Sequence, residues 1–277
     1  MPRLFVFGLG YSASRLVKRL LKEGWEVAGT WHREPPHDLP GVTLHQFDRT
    51  HPLAPGTLNG FTHLLSSIPP DANGDPALDL HGEETKNINW IGYLSTTGVY
   101  GTRDGDWVDE NSELLPTQDR SKRRAAAEKG WLALNAHIFR LAGIYGPGRS
   151  ILDDVRAGVA KRIDKPGHVF SRIHVDDIAN VLLASMAKPN PGRVYNLCDD
   201  DPAQPAKTVE EACRLLNLPL PPVVSFAEAG LSPMALTFWA DNKRVSNERI
   251  KQELGVKLAY PNYRAGLAAI LAEEKIK

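Results

Sequence analysis

A doubly wound α/β fold, built on a parallel sheet of about seven strands with a smaller C-terminal lobe, is the architecture that the sequence predicts. Three observations carry that expectation. Residues 4–7 (LFVF) form an apolar run suited to a buried parallel strand, and Gly8, Gly10 and Ala13 follow it as a GxGxxA turn. Leu16, Val17, Leu20 and Leu21 then recur at helical spacing until Gly24 stops them. The chain of 277 residues, 42% hydrophobic, is long enough to bury a full core as one large domain or one and a half.

The totals exclude several classes. Basic and acidic residues balance at 33 each, so no global field favours nucleic acid or an anionic membrane. Cys198 and Cys213 have neither disulfide-framework density nor metal-ligand spacing, which fits a reducing, cytoplasmic compartment. Residues 1–13 place Arg3 ahead of an apolar stretch, but the glycines inside it read as a phosphate turn and not as an export signal. No apolar run reaches the roughly 18 residues of a membrane span. Internal repeats and low-complexity tracts are absent from the sequence.

The first strand, glycine turn and helix stand in the order that a dinucleotide requires, that of a Rossmann domain. Gly8 allows the tight turn, Gly10 lets backbone amides approach a pyrophosphate, and the small Ala13 lets helix pack on strand. With Tyr11 and Ser12 these residues turn the helix N-terminus toward the phosphates. The competing reading is an ordinary strand-to-helix turn. Residues 25–30 (WEVAGT) make the second strand. It ends about twenty residues beyond the turn, where an NAD site places a carboxylate on the ribose 2′-hydroxyl. Thr30, Trp31, His32 and Arg33 stand there instead. Arg33 therefore matches a 2′-phosphate and favours NADP over NAD, unless it is a solvated loop residue.

Residues 42–47 make the third strand, with Asp48 at its C-terminal end as an acceptor for an adenine amine or as the cap of the next turn. Residues 62–68 (THLLSSI) are the fourth strand, whose small Ser66 and Ser67 let a cofactor lie close. A loop at 70–76 and a short polar helix at 77–87 lead to the fifth strand, 90–95 (WIGYLS).

From there the motifs become specific. Ser95, Thr96, Thr97, Gly98, Val99, Tyr100 and Gly101 precede WVDE at 107–110 and Pro116. FRLAGIYGPGR at 139–149, IHVDDI at 173–178, VYNLC at 194–198 and RVSNERIKQELG at 244–255, ahead of Tyr260, follow in order. On these residues the chain resembles an extended, atypical member of the short-chain dehydrogenase/reductase superfamily, of the NAD-dependent epimerase/dehydratase kind. Its SS-x-x-VYG, RP-x-x-IYGPG and HV-x-D segments find counterparts in register over nearly the whole chain. The resemblance implies a nicotinamide cofactor and a cleft between the carboxyl ends of the strands and a smaller lobe. Proline and glycine punctuation places that lobe at 147–167 and 200–277, with the Rossmann domain at 1–146 completed by 168–199.

A family of this kind carries a Tyr-x-x-x-Lys pair on the helix after the fifth strand, with a Ser or Thr from the preceding segment. The tyrosine exchanges a proton with the substrate oxygen, the lysine lowers the tyrosine pKa and holds ribose, and the hydroxyl orients the substrate. By that resemblance Thr96 occupies the hydroxyl position. Counting back from Glu128 puts Arg124 at the lysine position and Arg120 at the tyrosine position, within RSKRRAAAE. Arginine keeps its proton at any accessible pH and is no general acid–base.

Three readings of the arginines stand. Arg124 binds cofactor ribose or phosphate and Arg120 clamps an anionic substrate, with acid–base work falling to Tyr100, Tyr145 or a water on Thr96. Alternatively the protein is a catalytically silent NADP-binding redox or metabolite sensor, or RSKRR is a solvated basic helix face. Phe170 stands where sugar-nucleotide enzymes resembling this chain carry an arginine for the diphosphate. The threonine segment also lacks the Asp-Glu of the sugar 4,6-dehydratases. Both departures count against UDP- and dTDP-sugars. His174, Asp176 and Asp177 read as a helix cap, and no metal site is expected. The expected protein is an NADP-dependent oxidoreductase or epimerase-like enzyme for a small, anionic, oxygenated substrate. It is a monomer or homodimer without nucleic-acid or membrane partners.

Overall fold

The apolar runs pair into one sheet in the computed structural model, in which residues 1–275 are described. Its strands are β1 (Arg3–Phe7), β2 (Glu26–Trp31), β3 (Thr43–Gln46), β4 (His63–Ser66), β5 (Trp90–Thr96), β6 (His137–Leu141) and β7 (Val194–Leu197). They lie in the order β3-β2-β1-β4-β5-β6-β7, and every pairing is parallel. This is the Rossmann-like α/β fold that the sequence predicts. The winding reverses between β1 and β4, so the crevice opens at the carboxyl ends of those strands, beside the Gly8 turn and Ser66.

Side chains alternate across the sheet as the strand period requires. Leu4 and Val6 point into one apolar layer with Leu16, Val17 and Leu20 of α1 (Tyr11–Lys22). Ile178, Val181 and Leu182 of α5 (Val175–Ala187) complete that layer. Phe5 and Phe7 point into the other, with Ala77 of α2 (Pro76–His81) and Ala127 and Trp131 of α3 (Asp119–Ala133). Helix α2 is shorter than the predicted 77–87. Asp75 caps its start through the amides of Ala77 and Leu78, and at Gly82 the chain tightens into a 3-10 turn, Gly82–Thr85. The break falls at His81, whose φ of −134° and ψ of 6° leave the helical region, while Gly82 itself stays helical at φ −55° and ψ −41°.

The lobe gathers α4 (Ile151–Arg156), α6 (Pro205–Leu216) and α9 (Tyr263–Glu274) around Leu152, Val209, Cys213 and Ile270. A second small cluster holds Ile163, Phe170, Phe226 and Trp239, the last from α7 (Pro233–Trp239). One boundary needs correcting. Within the predicted lobe segment 200–277, residues 244–256 pack on the sheet domain. Val245, Ile250, Leu254 and Val256 join the core layer of β1, and Arg244–Val245 pairs with Trp107–Val108. Helix α8 (Glu248–Leu254) lies along β7, where Arg249 donates to the Val194 carbonyl at 3.2 Å and so covers part of the sheet's edge. Residues 276–277 of that segment lie outside the described residues. Among the described residues no helix is long and apolar enough to cross a membrane.

Candidate functional site

The glycine turn is built as its spacing requires. Gly8 has φ +86°, and a Cβ there would lie 2.6 Å from Ile68 Cγ2, so both backbone and packing demand glycine. Its amide donates to Thr30 Oγ1 at 2.8 Å, and its carbonyl accepts from the Ser67 hydroxyl, tying β1, β2 and the end of β4 together. Gly10 differs. It is the extended N-cap of α1 with no side chain capping the helix, and a Cβ built on it meets nothing within 4 Å. No acidic residue stands in the first turn. Buried Ser12 and Ala13 seat that turn against the sheet. The Tyr11 hydroxyl donates to the Pro147 carbonyl at 3.0 Å, linking the turn to the 146–149 loop. The result is an uncapped helix N-terminus with open space on the side of Gly10, an arrangement that suits a pyrophosphate. The buried Ser66 hydroxyl beside it has no hydrogen-bond partner among the described residues.

At the other edge of the crevice, His32 and Arg33 follow β2 and are exposed. Asp48 serves its own turn. It accepts from the amide and hydroxyl of Thr50 and from the His51 amide, and the Thr50 hydroxyl, with help from His51, holds its carboxyl well below the usual range.

Beyond the carboxyl ends of β5 and β6 lies a pocket of about 550 Å³, reached from β4 along Pro69 and Pro70. Thr96, Arg120 and Arg124 meet on its wall. Thr96 Oγ1 accepts from the Gly98 amide at 3.1 Å and keeps its own O–H for a ligand. Arg120 and Arg124, one helical turn apart on α3, share a face. Arg120 lies over the exposed ring of Phe238, 4.0 Å from its centroid, so it touches the lobe across the pocket. Arg124 donates to the Tyr93 hydroxyl at 3.2 Å and to the Leu94 carbonyl, which fixes it against β5.

Tyr100 is not on this wall, which removes it as an acid–base candidate. It is fully buried, donates to Asn196 Oδ1 at 2.7 Å, accepts from Arg140 at 2.8 Å, and is pushed by burial up to about 12. Tyr145 does line the pocket, but burial drives its phenol far above the ordinary value, and its hydroxyl reaches only the Asn262 carbonyl at 3.4 Å. His174 caps α5, its Nδ1 accepting from the Asp176 amide at 3.2 Å. Asp177 takes the amides of Ala259 and Tyr260. Of the three, His174 alone is the cap; Asp176 pairs instead with Arg15 and Arg19 of α1, and Asp177 ties the 259–260 segment to α5, so the expected capping by aspartate is replaced by these contacts.

Sequence reading did not single out Lys243, Asp241 and Arg172, which also line the pocket. A signal existed for two of them, because residues i and i+2 of an extended segment share a side. Beside Lys243 lies His168, whose ring stacks on Trp239 at 5.0 Å and is 1% exposed. Burial, with Lys165 and Lys243 nearby, pushes it down to about 4. The unfolded chain therefore takes up this proton first as pH falls, and stability present above about pH 6.5 is lost toward pH 4. Between pH 7 and pH 5 this one group should cost about 2 kcal/mol. Urea unfolding at both pH values, compared with His168→Phe, checks it. A variant that loses as much stability as the parent would contradict it.

No family model matches the chain, and no curated protein does either. Solved structures do. The dTDP-glucose 4,6-dehydratase of Bacillus anthracis str. Ames, in complex with NAD, superposes with TM-score 0.78 at 19% identity over 99% of this chain and 97% of that one. UDP-glucuronic acid 4-epimerase of Bacillus cereus, also in complex with NAD, gives 0.78 at 14% identity over 99% of both. The chain thus has the fold of the NAD-dependent epimerases and dehydratases. A conserved protein of unknown function from Silicibacter pomeroyi DSS is 48% identical over 99% of this chain and 100% of its own, with TM-score 0.91. The chain belongs to the family of that protein.

Proposed function

We propose that the chain binds a nicotinamide dinucleotide over the β1–α1 turn, NADP in preference to NAD, and acts with it on a small, anionic, oxygenated substrate. One observation carries this reading: an uncapped helix N-terminus over the open side of Gly10 stands at the switch point of the sheet, next to a pocket where Thr96, Arg120 and Arg124 converge. The dehydratase and epimerase of the same fold were solved with NAD, which supports the cofactor class. When bound, the nicotinamide supplies hydride exchange. The chain's own residues bind and orient. The α1 amides take the diphosphate, Arg33 the 2′-phosphate, Arg120 and Arg124 a carboxylate or phosphate, and the Thr96 hydroxyl a substrate oxygen.

Calorimetry with NADPH and NADH tests the cofactor half. NADPH should bind about tenfold more tightly, and Arg33→Ala should erase most of that ratio. Equal affinities in the parent would overturn the role of Arg33, and binding of neither would overturn the whole reading.

A silent NADP-binding sensor is the second reading. It is favoured by the state of the tyrosines, since Tyr100 and Tyr145 are both buried with raised phenols. Following the absorbance of reduced nicotinamide with a panel of keto acids and sugars separates the two. Turnover that disappears in Arg120→Ala supports the enzyme, and bound nucleotide without turnover on any of the panel supports the sensor.

A further inference from the structure

We propose that Lys243, held by Asp241 and by the Gly101 carbonyl, is the group through which the pocket exchanges a proton with the carbonyl or hydroxyl oxygen of its anionic substrate. The inference rests on the reading of the pocket as a substrate site. Lys243 lines the pocket and is 8% exposed. Its Nζ donates to the Gly101 carbonyl at 2.8 Å and to Asp241 Oδ2 at 3.2 Å. An ammonium has three N–H donors, so one remains for a ligand. Gly101 closes the short turn that Thr96 opens, which ties the ammonium to the same segment as the orienting hydroxyl.

The other pocket groups leave this role open. A guanidinium is no general acid–base, which leaves out Arg120, Arg124 and Arg172, a threonine hydroxyl does not ionise near neutrality, and Tyr145 is driven the wrong way by burial. Asp241 is the sole carboxylate on the wall among the described residues and is already engaged with Lys243. The charged and titratable groups facing Lys243 are Asp241 from its own segment, Arg103 from the 101–106 loop and His168 from the segment before Phe170. Burial pulls the ammonium below its ordinary value, Asp241 pushes back, and Arg103 adds to the fall. A lysine so placed can shed and regain a proton closer to neutrality than a surface one.

The step balances. As a carbonyl carbon receives hydride from a reduced nicotinamide, the Nζ–H bond breaks and the substrate O–H bond forms. The electron pair stays on Nζ, and the neutral amine recovers a proton from solvent. In the oxidative direction the neutral amine takes the hydroxyl proton.

Pyridoxal 5′-phosphate, an anionic aldehyde, is the probe. Its imine with an amine is reduced by borohydride to a stable adduct, which peptide mass mapping locates on the full-length protein. The adduct on Lys243 should form with a pH midpoint below that on exposed Lys22, Asp241→Asn should lower that midpoint further, and Arg120→Gln should slow labelling of Lys243 alone. A Lys243 that stays unlabelled while Lys22 reacts, or that shares its midpoint, overturns the proposal, and the unmodified protein suffices for that comparison. Calorimetry with NADPH on the same preparation keeps the two readings apart. Nucleotide binding with an ordinary Lys243 defeats the lysine proposal only, and a shifted Lys243 without nucleotide binding defeats the dinucleotide reading and, with it, the hydride-coupled proton step.

Discussion

Gly10→Asp should leave the fold intact and weaken NADPH binding about a hundredfold or more. Both halves follow from one position. Gly10 has φ −88° and ψ −174°, ordinary extended backbone for any residue, and a Cβ there meets nothing within 4 Å. Aspartate is moreover a favoured N-cap. Its carboxylate would accept from the free first-turn amides and add up to about 1 kcal/mol to stability. Those are the same amides that the diphosphate needs, and the new charge repels it. Thermal unfolding paired with calorimetry reads the two effects separately. The opposite result at Gly8 sharpens the test. There φ is +86° and Ile68 Cγ2 would sit 2.6 Å from a Cβ, so Gly8→Ala should lower stability as well as affinity. A Gly10→Asp protein that binds NADPH like its parent would remove the cofactor from this turn.

The β1–α1 unit was legible because its chemistry is local. Strand, turn and helix are contiguous, and each glycine answers to its near neighbours. Much of the sheet was legible for a similar reason, since β1, β4 and β5 are short apolar runs closed by glycine, proline or serine. What the chain hid are pairings between distant residues. Tyr100 stands in its motif as a candidate for acid–base work, yet its hydroxyl partners Asn196 and Arg140 lie 96 and 40 positions away and hold it in the core. Lys243 stands just ahead of the 244–255 segment and has no motif of its own, and only its contact with Gly101, 142 positions earlier, brings it to the pocket. The segment 244–256 joined the sheet domain through the same kind of contact, a two-residue ladder with 107–108 that no periodicity announces. Arg120 and Arg124 were readable as one helical face. Which side of the molecule that face meets was not, and the ring of Phe238 over Arg120 answers it.

Glu128→Ala should cost about 3 to 5 kcal/mol, the largest stability loss expected from a single change outside the apolar core. Glu128 on α3 is 1% exposed and Arg140 on β6 is 4% exposed. The guanidinium grips both carboxylate oxygens, at 2.7 to 3.2 Å, while the Ser95 hydroxyl donates to Oε1 and Arg140 donates onward to Tyr100. Alanine at 128 removes the acceptor and leaves a buried cation without its counter-charge, which is far more costly than losing a surface pair. Glu128→Gln keeps the shape and part of the hydrogen bonding, so its loss should be smaller. The double change Glu128→Leu with Arg140→Met should recover much of the alanine loss, because it buries no charge at all. A double variant as unstable as Glu128→Ala in urea unfolding would show that the damage is one of packing and not of an orphaned charge. The same network explains why Thr96 and Arg124 hold their places. Ser95 precedes Thr96 on β5, and Arg124 lies one turn before Glu128 on α3, so the Ser95–Glu128 hydrogen bond, with Glu128 fixed by its ion pair to β6, clamps the two elements that present the pocket's hydroxyl and cation. Affinity for an anionic ligand should therefore fall in Glu128→Ala even under conditions where the chain stays folded, and be regained in the double variant as the clamp is replaced by apolar packing.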